Sequence, residues 1–152
     1  MKTVIQRVKS ASVTVDHVRI SEISKGYLIL LGIEQGDTEA DLKALAAKVS
    51  KLRIFADADD KMNLSIRDIG GEILLVSQFT LCAQCKHGNR PAFVSAMAPK
   101  EADRMYQAFG KLLEEAGIPV KYGQFAAMMD VALVNDGPVT IIMEAKNGAI
   151  LC

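Results

Sequence analysis

The hydrophobic pattern changes period several times along the chain, and those changes divide it into elements. Val4 to Val15 is rich in β-branched residues with partial alternation, which predicts a strand. Val18 to Ile23, then Lys25-Gly26, then Tyr27 to Ile33 reads as a hairpin. Its second arm is continuously apolar, as a strand buried on both faces must be. Gly36-Asp37-Thr38 opens a helix, with Asp37 or Thr38 as N-cap and Glu39 and Asp41 in the first turn. Leu42, Leu45, Val49 and Leu52 recur on one face of that helix.

Beyond it, Arg53 to Ala56 is extended, and Asp57 to Asp60 is an acidic turn. Asp68 to Gly71 makes another turn, and Glu72 to Leu81 is a strongly apolar strand. Cys82 to Phe93 is a polar loop. A second helix starts at Pro99, runs through Met105, Phe109, Leu112 and Leu113, and stops before Gly117. Three strands follow, Val120 to Phe125, Met128 to Val134 and Val139 to Glu144, with a short last one at Ala149 to Leu151. No linker, repeat or low-complexity stretch interrupts this order. The pattern predicts one α/β domain over residues 1–152, with barrel-like or layered sheets covered by two main helices.

Composition adjusts this picture only a little. With 152 residues the chain suits a single domain that can bury a full core without staples. Trp is absent and seven Met are present, so the core must be aliphatic with adaptable filler. The formal net charge is zero, which argues against a general nucleic-acid binder but not against a protein that grips one end of an RNA. Lys86, His87 and Arg90 form one local basic cluster, which charge alone leaves equally open to a solvated loop. Three cysteines cannot all pair with one another, and the N-terminus carries no recognisable cleavable signal, so a reducing cytoplasm is the expected location. The apolar run Tyr27 to Ile33 is too short to span a bilayer as a helix.

Most familiar chemistry is poorly represented. Cys82, Cys85 and His87 offer three ligands where structural zinc needs four, and His17 and Cys152 are remote in sequence. The expectation is no metal and two incidental thiols. Asp57, Asp59 and Asp60 fail the calcium-loop pattern, because Lys61 and Met62 stand where an oxygen ligand and Gly are required. There is no Gly-rich phosphate loop, no nucleophile elbow, and neither His lies in a triad setting.

Two segments remain. Ser77-Gln78-Phe79-Thr80 places polar side chains at the end of an apolar strand, where backbone N–H groups and hydroxyls can line a pocket or a strand can simply emerge into solvent. Asn135-Asp136-Gly137-Pro138 reads as an ordinary hairpin turn, and its Gly-Pro bond can be cis or trans.

Taken together, these two segments resemble those of the D-aminoacyl-tRNA deacylase family. The resemblance extends to Val4-Ile5-Gln6-Arg7-Val8, to the Gly88-Asn89-Arg90-Pro91-Ala92-Phe93 loop and to Asn135 through Thr140, and so covers essentially the whole chain. It implies hydrolysis of the ester joining a D-amino acid, or mischarged glycine, to the terminal adenosine of tRNA. It implies no cofactor, a homodimer, and no membrane. Ser77, Gln78, Phe79 and Thr80 match the family's pocket floor. Gly137 and Pro138 match its Gly-cisPro motif, which enters the partner subunit's pocket and rejects L-amino acids. Arg7 matches the arginine that orients this motif, and Phe125 and Met129 match positions near the terminal adenosine. Two mechanisms fit the resemblance. Thr80 is the nucleophile in one; in the other, which we favour, N–H groups around Phe79 and Thr80 form an oxyanion hole and the tRNA 2′-hydroxyl helps activate water. Gln84 stands where the resemblance leads one to expect an acid, and Cys85 and His87 make the loop less basic. The rival readings are a non-catalytic RNA-binding dimer of the same fold and a zinc- or redox-linked protein.

Overall fold

The computed structural model describes residues 1–151, and Cys152 lies outside them. Its organising element is β1 (Lys2–Val15), which pairs on both edges. On one edge it meets β2 (Val18–Ile23) along its second half and β3 (Gly26–Gly32) along its first half, both antiparallel. On the other edge lies β8 (Asp130–Lys146), antiparallel to β1 throughout. The expected hairpin of β2 with β3 therefore does not form. The true hairpin is β1–β2, closed at Asp16 and His17, whose φ values of 48° and 66° give the left-handed pair that a two-residue turn requires. Lys25-Gly26 instead steps the chain from one half of β1 to the other.

From β3 the sheet continues through two parallel neighbours, β6 (Glu72–Ser77) and β7 (Val120–Tyr122). The β3–β6 crossover carries α1 (Glu39–Lys51) and a small ribbon of β4 (Phe55–Ala56) and β5 (Met62–Leu64), the last absent from the sequence reading. The β6–β7 crossover carries α2 (Pro99–Glu115). A final β9 (Ala149–Ile150) turns back on β8. No helix among the described residues is long and apolar enough to cross a membrane.

Two cores result, one on each face of the sheet. Ile5, Ile29, Leu31, Ile73 and Leu75 point toward the helices and meet Leu42, Leu45, Val49, Met105, Phe109 and Leu113. Leu28, Leu74 and Val76 point the other way and meet Val8, Ala11, Val13 and Ile23 from the curled half of β1 and β2. That curl carries β2 toward β6 and β7, where side chains join them: the Lys121 ammonium donates to the Glu22 carbonyl (2.8 Å) and the Ser24 N–H to Glu72 (3.1 Å). The barrel-like expectation is thus met by one curled sheet with α1 and α2 on one side. Each buried aliphatic side chain stabilises by roughly 1.5–3 kcal/mol, so the two faces together supply the driving force that scarce aromatics do not.

Two buried aspartates fasten the ends of the chain to α1. Asp37 accepts from the Met1 ammonium (2.8 Å), the Glu34 N–H (2.7 Å) and Lys146 (3.4 Å). The N-cap role falls to Thr38, whose N–H donates to Asp41 (2.8 Å). Asp41 also accepts the Gly148 N–H (2.8 Å), which ties the β8–β9 turn to the helix. Burial pushes the Asp41 carboxyl upward, but the Gly148 and Thr38 N–H groups and the Thr38 hydroxyl outweigh it and hold the pKa below the ordinary value. A lowered folded-state pKa stabilises the fold above the unfolded value of about 4, and the contribution is lost as pH falls through the folded value. We predict that Asp41→Ala lowers unfolding free energy by about 2–3 kcal/mol at neutral pH. In urea titrations its difference from the parent should shrink as pH is taken below about 4; a difference constant down to pH 2 would contradict this account.

Candidate functional site

The strand predicted to run to Leu81 stops at Ser77, and the reason is geometric. Ser77 pairs with Leu31, and the next N–H, of Gln78, still reaches the Leu31 carbonyl (2.8 Å). The chain then folds into a 3-10 turn over Phe79–Cys82. Gly32 makes room for it: a Cβ there would lie 2.8 Å from the Leu81 Cβ and 3.2 Å from the Gln78 carbonyl. Leu81 N–H closes the turn onto the Gln78 carbonyl (3.2 Å). The N–H groups of Phe79 and Thr80 have no acceptor among the described residues, because the first donors of a helical turn find none within it. Both residues are exposed, Phe79 at 57%. The Thr80 hydroxyl touches the Gln78 amide, and no imidazole, amine or carboxylate among the described residues bonds to it.

This turn is braced from two sides. The Phe79 ring meets Phe93 edge-on at 5.1 Å, which pins the far end of the loop that the sequence marked as polar. Beneath it, the buried Tyr106 hydroxyl of α2 donates to the Leu75 carbonyl (2.8 Å). Burial above all, with Tyr122 and Asp103 nearby, raises the Tyr106 phenol pKa, so it remains a donor at neutral pH. Tyr106 was not singled out in the sequence, where it reads only as one more residue on a helix face.

Phe125 and Met129 come to the same end of the sheet. The strand expected to reach Phe125 ends at Tyr122, and Gly123 N–H bonds the Leu75 carbonyl (3.0 Å) as the chain leaves β7. Phe125 packs on Tyr106 with ring centres 6.0 Å apart. The Met129 sulfur accepts the Gln124 N–H (3.4 Å) and closes the loop before β8 begins at Asp130.

Arg7, Gly137 and Pro138 lie elsewhere. Asn135 to Pro138 is not a hairpin turn, since β8 passes through it as one strand. Gln6 pairs with Thr140 and Val8 with Asn135, so Arg7 alone stands opposite Asp136 to Val139. The surplus residues form a wide bulge on the strand, with Gly137 and Pro138 exposed and a cis bond between them. Asn135 frames it: its side-chain oxygen accepts the Val139 N–H (2.7 Å) and its amide nitrogen donates to the Val139 carbonyl (3.2 Å). Arg7 holds the other side, donating through Nε to the Asp136 carbonyl (2.8 Å) and through Nη1 to the Ile54 carbonyl. Gly137 has φ of +141°, and a Cβ there would lie 3.0 Å from the Arg7 guanidinium and 2.9 Å from Val139. Sequence reasoning missed Asn135 as a brace, although an Asx residue spanning a backbone loop is a recurrent pattern.

The distance between the two groups follows from the register. Ser77 is level with Leu31 and Thr3, whereas the bulge is level with Arg7 and Tyr27. Four residues along β1 and three strand spacings across the sheet separate them, roughly 13 Å by 14 Å. The remaining candidates are dispersed. Cys82 is buried and donates weakly to the Ile33 carbonyl (3.6 Å), while Cys85 is exposed. His17 occupies the β1–β2 turn, and Cys152, the other distant ligand considered for zinc, lies outside the described residues. Asp57 caps its own turn by accepting the Asp59 and Lys61 N–H groups (2.9 and 3.0 Å).

Comparison with known proteins finds relatives that match nearly the full length of the chain. The D-aminoacyl-tRNA deacylase of Thermodesulfovibrio yellowstonii is 53% identical over 146 residues, which cover 96% of this chain and all of that protein. That of Flavobacterium psychrophilum is 53% identical over 148 residues, covering 97% and 99%. Among solved structures, the c-Myc DNA Unwinding Element Binding Protein superposes with a TM-score of 0.88 at 43% identity, covering 96% of this chain and 99% of that one. The model of the D-Tyr-tRNA(Tyr) deacylase family matches residues 4–144, and the chain belongs to that family.

Proposed function

We infer that the protein hydrolyses the ester between a D-amino acid and the 3′-terminal adenosine of tRNA, and that each working site is built from two subunits. The observation that carries this is the separation of the two exposed groups. The 3-10 turn and the Gly137-Pro138 bulge stand at different corners of one sheet, too far apart to touch a single amino acid. In a two-fold dimer, each corner can meet the other corner of the second copy, giving two equivalent composite sites.

Phe79 and Thr80 act through their backbone. Water attacks the ester carbonyl carbon, and the negative charge that develops on its oxygen is met by the two free N–H groups. The tetrahedral intermediate collapses with the 3′-oxygen leaving, and the adjacent 2′-hydroxyl of the adenosine assists proton transfer. Loss of one such donor typically costs about 2.7–4 kcal/mol of transition-state stabilisation, so the pair can sustain catalysis without a side-chain nucleophile. Thr80 is a poor nucleophile because no base among the described residues bonds its hydroxyl to take the proton. Phe125 and Met129, beside the floor, contact the terminal adenosine.

The partner's Gly137 and Pro138 form the chiral wall. Their carbonyls face the substrate ammonium, and Arg7 and Asn135 fix their position. A hydrogen on the α-carbon fits against this wall and an L side chain collides with it, which is discrimination by exclusion. Glycine passes for the same reason. A non-catalytic RNA-binding dimer would have no need for donors without acceptors beside a rigid wall.

Three measurements test this reading. Matched D- and L-aminoacyl-tRNA should be hydrolysed at rates differing by at least about 100-fold, a gap of about 2.7 kcal/mol; equal rates would overturn the assignment. Thr80→Ala should keep single-turnover activity within about 10-fold of the parent, less than 1.4 kcal/mol, whereas near-complete loss in a folded variant would make Thr80 the nucleophile. Finally, a chain with the floor blocked (Thr80→Trp) and one with the wall altered (Gly137→Val) should each be inactive. Unfolded and refolded together, they should regain roughly a quarter of parental activity, because half the dimers hold one intact composite site. No recovery in refolded dimers would place the wall and floor in the same subunit.

A further inference from the structure

The charge of the molecule is balanced, but not evenly placed. From Ile73 through Lys100 the sequence contains no Asp or Glu, although the chain has 18 acids in all. This acid-free stretch includes the 3-10 turn and the loop that follows it. Gln84 and Ala92 exchange two backbone hydrogen bonds (2.8 and 3.0 Å), closing the loop at its neck. Lys86, His87 and Arg90 stand beyond that neck, all exposed. Neither Lys86 nor Arg90 has a carboxylate partner among the described residues. Glu34, the carboxylate that the Ser95 hydroxyl reaches at the loop's base (3.5 Å), is itself paired with Lys2 (3.4 Å).

The loop is also tied to the site floor. Its outgoing strand ends at Phe93, whose ring packs on Phe79. Ser95 then donates to the Cys82 carbonyl (3.2 Å), and Gln35 holds the Val94 and Ser95 carbonyls (3.1 and 2.8 Å). Two unpaired cations are therefore carried on a braced hairpin beside the free N–H groups of Phe79 and Thr80.

We propose that Lys86 and Arg90 bind the phosphodiesters of the single-stranded 3′ end of tRNA, and so deliver its terminal ester to the floor. The proposal rests on the function argued above. An aminoacyl ester on the floor necessarily brings its own polyanionic strand past the rim, and this acid-free loop is continuous with that floor. An Arg fork and a Lys point charge are both suited to phosphate oxygens. What sets the loop apart is that its cations lie in a stretch without acids, so a protein of zero net charge can still grip a few phosphates at one end.

Salt dependence reads the number of phosphates held. Binding of uncharged, deacylated tRNA is measured against KCl concentration for the full-length protein, Lys86→Ala, Arg90→Ala and the double variant, with Lys111→Ala on the exposed face of α2 as control. Each loop substitution should make the slope of log K against log[salt] shallower by about 0.7, and the double by about 1.4, the single-strand value per released contact. Lys111→Ala should leave it unchanged. Alongside, the ratio of kcat/KM for D-aminoacyl-tRNA to that for D-aminoacyl-adenosine, which has no phosphodiester, should fall about 10-fold or more in the double variant. Unchanged slopes, or equal losses on both esters, would overturn the proposal. Binding of an acidic polypeptide in preference to tRNA would also overturn it, in favour of a protein partner. Because the slopes come from binding alone, a parent protein that binds tRNA but fails to deacylate would refute the enzymatic reading and leave the loop assignment standing.

Discussion

Backbone pairing on both edges of β1 is the constraint from which the remaining geometry follows. A strand with two partners cannot slip by one residue without turning every side chain to the wrong face, and here both faces are buried by different cores. The register with β3 fixes β6 and hence the place where the floor begins. The register with β8 fixes how many residues must be accommodated opposite Arg7. The floor and the wall are therefore set by the same strand, from opposite edges.

The backbone departs from regularity at both sites, and in each case polar groups secure the departure. The 3-10 turn is held by its own carbonyl, by Gly32 below and by Phe93 beside it. The bulge is held by one amide and one guanidinium. Such supports keep a few peptide groups rigid in exposed positions, which is what electrostatic stabilisation of a developing charge requires. A site made of peptide groups also fits the absence of a base bonded to the Thr80 hydroxyl among the described residues.

Much of this was legible in the sequence, and the exceptions have physical causes. The two helices were visible from the spacing of Leu42, Leu45 and Val49 and of Met105, Phe109 and Leu113, and Pro99 and Gly117 bounded the second. The β2–β3 hairpin was misread because Lys25-Gly26 looks like a turn; whether two neighbouring strands pair, or both pair with a third, is not encoded locally. β8 was divided because Gly137-Pro138 ordinarily ends a strand, whereas here the Asn135 amide and the Arg7 guanidinium, with β1 pairing on either side, keep the strand continuous. The apolar run to Leu81 concealed the end of β6, since Phe79 and Leu81 have the same hydropathy in a 3-10 turn as in a strand. Chemistry at Ser77–Thr80 and Gly137-Pro138 was ambiguous from the residues, and acquired meaning from their joint resemblance to one family. The distance between them is a property of the sheet, and no motif contains it.

Arg7 has a consequence beyond orientation of the bulge. Its guanidinium bridges the Asp136 carbonyl on β8 and the Ile54 carbonyl just before β4, while its cross-strand neighbour Tyr27 stacks on Phe55 at 5.3 Å. The planar fork is a rigid gauge, so the width of one side chain sets the separation of two loops that are remote in sequence. A lysine could reach either carbonyl on its flexible stem but could not measure the gap between them. The packing of the small β4–β5 ribbon thereby becomes part of the tolerance to which the Gly137-Pro138 bulge is built, although ribbon and bulge are some 80 residues apart in the chain.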